Sequence, residues 1–98
     1  MSKQQQINEL RNRIYGDHRS DGSIKKKGIS DHIASIESAI EDQDWNLLEY
    51  YRKEMIWKFS DTDKLLEKLS NHEEVRILKS EYLEIRDEIE GLLRKYGR

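Results

Sequence analysis

The sequence predicts an all-α fold, a small helical bundle built on a long antiparallel helical hairpin. Three observations carry this. The 98 residues contain no proline, which would remove a hydrogen-bond donor from a helix and clash with its preceding turn. Alternating spacings of three and four run over 45–69, with six of eight positions apolar, and again without a miss from Val75 to Tyr96. Eighteen basic and twenty acidic side chains nearly cancel, so high charge does not imply disorder here. The length fits one domain spanning 1–98.

The first helix is expected over 3–15. Ser2 and Gln5 have the spacing of a capping box, in which each side chain satisfies an orphan backbone donor. Ile7, Leu10 and Ile14 then form a narrow apolar stripe, which predicts a helix leaning on the body of the domain. Residues 16–28 are the one clear break. Gly16, Gly22 and Gly28 punctuate it, which predicts a compact loop or a short hairpin around Asp21-Gly22.

The second helix is expected over 31–42. Ser30 is its expected N-cap, and Ile33, Ile36 and Ile40 its stripe. Ala34 and Ala39 leave room for a close neighbour. The third helix is expected over 45–69, capped by Asp44. Trp45, Leu48, Arg52, Met55, Phe59, Thr62, Leu66 and Leu69 keep the three-four spacing. Ser60-Asp61-Thr62-Asp63 is its weak point, because such side chains compete for the backbone. The unbroken spacing predicts one continuous helix.

The fourth helix is expected over 71–96. Ser70 and Glu73 offer a second capping box. Val75, Leu78, Tyr82, Ile85, Ile89, Leu92 and Tyr96 keep the heptad without a miss. Arg94, Lys95 and Arg98 suit the negative end of the helix dipole, and Gly97 can end the helix. The turn at Ser70-Asn71 is very short, so the two long helices should be antiparallel neighbours.

Several functions are disfavoured. Without cysteine there is no disulfide, thiolate zinc site or cysteine nucleophile. The loop from Asp17 faintly resembles a calcium loop, but Arg19 and Gly28 stand where oxygen ligands are required. His18, His32 and His72 fall on three segments, with no i, i+4 pair to begin a zinc site. Neither a phosphate-binding glycine loop nor a strand-turn-helix nucleophile elbow is present. The expectation is a non-enzyme with no cofactor and no metal. No segment approaches the roughly 20 apolar residues of a membrane span. The opening Met-Ser-Lys-Gln-Gln-Gln also lacks the apolar core of a secretory signal. A cytoplasmic protein with no membrane partner is expected.

Two surfaces remain. Residues 1–28 hold seven basic and three acidic side chains, whereas 29–98 hold eleven and seventeen. Lys25, Lys26 and Lys27, with Arg11, Arg13 and Arg19, would make a positive surface able to displace counterions from phosphates. Helix three offers the other. Tyr50 and Trp57 lie seven residues apart, opposite the seam of Trp45 and Leu48, with Arg52 and Lys53 nearby. Either the first two helices cover these aromatics, or they stay exposed as a partner-binding patch.

The leading expectation is a non-enzymatic protein–protein interaction module. It would be a small regulatory, inhibitor or adaptor protein acting on a larger partner. The alternative is a nucleic-acid-binding accessory protein that uses the basic residues. A homodimer formed through the hairpin fits the same pattern. Ile77, Leu83 and Leu93 lie outside the strict seam, and Gly91 in mid-helix would suit a close backbone neighbour.

Overall fold

The computed structural model describes residues 2–96. In chain order these form α1 (Lys3–Tyr15), β1 (Asp17–His18), β2 (Ile24–Lys26), α2 (His32–Glu41), α3 (Trp45–Lys68) and α4 (Glu73–Tyr96). The chain is the expected all-α bundle, with one small antiparallel sheet inside its long loop. The capping expected of Gly97 and Arg98 falls outside the described residues.

The Ser2–Gln5 capping box is present. The Gln5 backbone N–H donates to Ser2 Oγ at 3.2 Å, and the Ser2 N–H donates to Gln5 Oε1 at 3.0 Å. Beyond it, α1 does more than lean on the domain. Ile7, Leu10 and Ile14 are all buried, because α1 packs against both α3 and α4.

The helix ends at Gly16, whose φ of 83° favours glycine. Gly16 lies against Gly28. A Cβ on Gly28 would fall 2.0 Å from the Gly16 nitrogen. The two glycines therefore let both ends of the β-hairpin meet. Ile29 and Ser30 then donate to the Arg13 and Ile14 carbonyls at 3.0 and 2.9 Å. These bonds satisfy orphan acceptors at the end of α1 and tie the departing chain to it. Within the hairpin, Asp17 pairs with Lys26 and His18 with Ile24, leaving Lys25 as the extra residue of a bulge. At its tip Asp21 Oδ1 accepts from the Ser23 N–H at 2.9 Å, and this bond lowers the Asp21 pKa.

Ser30 is not the cap of α2. Asp31 occupies that position with helical dihedrals, and its side chain makes no cap. The Asp31 carboxylate instead accepts from the Gly28 N–H at 2.8 Å and pairs with His18 Nε2 at 3.1 Å. The buried stripe of α2 is His32, Ile36 and Ala39. Ile33 and Ile40 are half-buried, and Ala34 is exposed.

The third helix is continuous through 60–63, as its spacing predicts. Contacts to other helices hold this stretch in place. Asp63 takes bonds from α4, the Asp61 carbonyl takes one from Arg13, and Thr62 is buried. Asp44 caps α3 by accepting from the Leu47 N–H at 3.1 Å.

The fourth helix begins at Glu73, so Ser70 and Glu73 do not form the expected capping box. His72 stands at the N-cap, its carbonyl accepting the Arg76 N–H at 3.2 Å. Leu93 is buried and Leu92 half-buried, the reverse of the strict seam. An α-helix drifts about 20° per heptad against a 3.5-residue repeat, and the drift turns Leu93 inward. Nothing lies within 4 Å of where a Gly91 Cβ would sit, so no close neighbour explains that glycine.

Candidate interaction surface

Helix α3 presents two different faces. Leu48, Met55, Phe59, Thr62 and Leu66 enter the core. At about 100° per residue, Tyr50 and Trp57 turn away from that stripe. Tyr50 is 57% exposed, Ile56 63% and Trp57 76%. The arrangement with helices one and two over these aromatics is therefore not the one adopted. Both shorter helices serve the buried stripe instead.

The neighbours of the aromatic pair have different roles. The Tyr50 ring meets the Tyr51 ring edge-on, with centroids 5.7 Å apart. The adjacent Glu54 carboxylate raises the Tyr50 pKa, by its charge and by a hydrogen bond. Lys53 is exposed. Arg52 is not a free contact residue. Its Nη2 donates to the Leu93 carbonyl at 2.8 Å, and its Nε pairs with Glu49 at 3.2 Å. Arg52 thus fastens the start of α3 to the end of α4. Ile56 completes the exposed apolar set but was not among the expected contacts. Its one sequence signal was a large aliphatic residue off the seam.

Beside Ile56 lies a cleft of about 560 Å³, lined only by α3 and α4. Met55, Phe59 and Leu93 give it an apolar floor. A second cleft of about 480 Å³ shares Asp63 and Glu67 with the first and adds Leu66 and Val75. Together they follow the hairpin seam toward the turn. A polar clamp crosses that seam. Tyr82 Oη donates to Asp63 Oδ1 at 2.9 Å, and Arg86 Nη1 donates to Asp63 Oδ2 at 2.8 Å. Arg86 Nε also donates to Glu90 at 2.7 Å, and its guanidinium lies 4.8 Å from the Phe59 ring centroid. Burial raises the Tyr82 pKa, helped by the Asp63 carboxylate. The bond to Glu90 raises that of Arg86. Tyr82 and Arg86 therefore both keep their protons at neutral pH. Nothing in the spacing of the sequence revealed this cleft.

The six basic residues do not gather on one surface. Arg11 pairs with Glu74. Arg19 donates within its own hairpin to Ser23 Oγ and the Ile24 carbonyl, both at 3.3 Å. Arg13, Lys26 and Lys27 do come together, with Lys58, around a cleft of about 190 Å³. Glu9 and Asp61 share that cleft. Arg13 is bonded to Glu9 at 3.2 Å and to the Asp61 carbonyl at 3.1 Å. Lys27 bonds Ser35 Oγ and lies 5.4 Å from the Tyr51 ring centroid. Lys25 and Lys26 are exposed.

The histidines stay apart. His32 is buried, with Nδ1 2.8 Å from the Gly28 carbonyl. A carbonyl only accepts, so that nitrogen carries the proton. Burial lowers the His32 pKa. Among the described residues no three His, Cys, Asp or Glu side chains are placed to hold a metal ion. Likewise, no helix is long and apolar enough to cross a membrane. In comparisons with known proteins, the chain matches no family model, no curated protein and no solved structure.

Proposed function

We propose that the chain is a small, non-enzymatic protein-binding module, a regulatory, inhibitor or adaptor protein acting on a larger cytoplasmic partner. One observation carries this reading. Tyr50, Ile56 and Trp57 lie within eight residues on one helix and remain exposed. Burying a large apolar side chain is worth about 1.5–3 kcal/mol, and this chain's own fold leaves much of that gain unrealised at these three positions, as it does at Ile24, Leu47, Ile77 and Leu83. Aromatic side chains are common anchors of binding hot spots. Exposed Lys53 supplies a charged rim beside them.

The test is capture by the immobilised chain from cells that produce it, with the Tyr50→Ala/Trp57→Ala variant alongside. The wild type should retain a discrete partner that the variant loses, with equal helicity by circular dichroism. Equal capture by both chains would defeat the reading.

The cluster of Arg13, Lys26, Lys27 and Lys58 favours a second reading, a nucleic-acid-binding accessory protein. It ranks lower because Glu9 and Asp61 share the same cleft and Arg13 is already bonded.

A further inference from the structure

The α3–α4 cleft differs in charge from the rest of the molecule. The whole chain carries −2. The linings of the two adjoining clefts contain six cations and three carboxylates, and Arg52 and Arg76 are paired with Glu49 and Glu73 just outside, so the local balance is +1. Two of those carboxylates, Asp63 and Glu90, are already bonded to Arg86. Lys64, Lys79 and Arg94 join no ion pair among the described residues. The apolar floor is therefore flanked by cations still available to a partner.

The dimensions suit one kind of occupant. From Arg52 to Ser70 the cleft runs beside 18 residues of chain, about 27 Å at 1.5 Å per residue. Ile56 stands exposed on the α3 side. On α4, Leu83 is 45% exposed and shares a helix face with Lys79, Arg86, Asp87 and Glu90 by its spacing. A groove between two parallel ridges, apolar below and aliphatic at its edges, fits the apolar stripe of a third helix.

Building on the protein-binding reading above, we propose that this cleft seats an acidic amphipathic helix of about five turns from the partner protein. Its apolar stripe would pack on exposed Ile56 and Leu83, above the buried floor, and its carboxylates would meet Lys64, Lys79 and Arg94. A second copy docked cleft to cleft is the poorer occupant, because it would set one net-positive lining against another. Ile56 borders both the cleft and the Tyr50–Trp57 face, so one partner can engage both.

The experiment titrates isotope-labelled full chain with two synthetic peptides of about 18 residues. Both carry leucines at helical spacing; one has glutamates on its polar face and the other lysines. The acidic peptide should gain helicity and shift the amide resonances near Ile56, Leu83 and Arg94. Its affinity should fall with salt and drop about tenfold or more in Lys79→Glu/Arg94→Glu, two exposed positions. Equal binding of the basic peptide, or shifts confined to Tyr50 and Trp57, would overturn the proposal. So would a dimer of the chain, seen by sedimentation, that closes the cleft. The Tyr50→Ala/Trp57→Ala variant separates the two readings. Partner capture that depends on these aromatics, without seating of the acidic peptide, keeps the first and removes the second.

Discussion

The two sides of the α3–α4 hairpin are built from the same heptad pattern and end differently. On one side, α1 and α2 lay Leu10, Ile14 and Ile36 against the long helices and seal them. On the other, none of the described elements covers the seam, and Arg86 with Asp63 and Tyr82 ties it from within. A repeat of three and four places side chains along a seam but does not supply a cover for both faces. Two short helices suffice for one face only. The uncovered face keeps its floor residues Met55, Phe59 and Leu93 buried, but leaves Ile56 and Leu83 in water at its edges.

The comparison predicts unequal responses to truncation. Leu10 lies wholly inside the sealed side. Leu10→Ala should cost about 2–5 kcal/mol, since lost transfer energy and a residual cavity add. The midpoint of urea unfolding checks this. A loss near zero would mean that α1 is not part of the cooperative core.

Tyr82 probes the boundary between the two sides. Its ring is buried, while its hydroxyl donates toward the open cleft at Asp63. Tyr82→Phe keeps the ring and removes one hydrogen-bonding group, so about 0.5–1.5 kcal/mol should be lost. Calorimetric melting of the two proteins measures it. A loss as large as that of Leu10→Ala would make the clamp part of the core rather than a tie across an open seam.

The same contrast separates what was legible in the sequence from what was not. The extents of α1, α3 and α4 were readable because periodicity is a local property. The Ser2–Gln5 box was readable for the same reason, since both partners lie on the helix that they cap. Ser70, with Glu73, had equally good spacing, and Ser30 stood at the expected N-cap, yet neither caps. Asp31, engaged with Gly28 and His18, shifts the start of α2, and α4 begins only after His72. The basic surface failed through distance along the chain. Arg11 finds Glu74, and Arg13 finds Asp61, contacts that no local pattern announces. Tyr50 and Trp57 were readable as surplus to one seam. Whether they were covered depended on where α1 and α2 dock.

His32 tests the sealed side with a single proton. Burial lowers its pKa below the ordinary value of 6.5, against the smaller upward effect of its bond to Gly28. Lys27 and Lys58 act in the same direction as burial, and Glu54 opposes them. Below pH 6.5 the unfolded chain therefore binds more protons than the folded one. This contribution is full above that pH and is lost as pH falls through the lower, folded value. The urea midpoint should drop between about pH 7.5 and 5.5, and less in His32→Gln, whose amide can still donate to Gly28. Equal drops in both proteins would show that the imidazole is not sealed from water.

The smallest folding effect belongs to the outer face of α3, which lines neither the sealed side nor the cleft, and it decides what that face is for. Trp57→Ala removes the most exposed large apolar side chain in the described structure. Because the ring is already largely in water, stability should change by no more than about 0.5 kcal/mol. A residue that contributes so little to folding has no internal reason to be tryptophan. If Trp57→Ala instead lowers the unfolding midpoint as Leu10→Ala does, the indole belongs to the core and the contrast between the two faces collapses. A near-zero change together with lost partner capture would place the role of Trp57 in binding, since packing within this chain would not account for it.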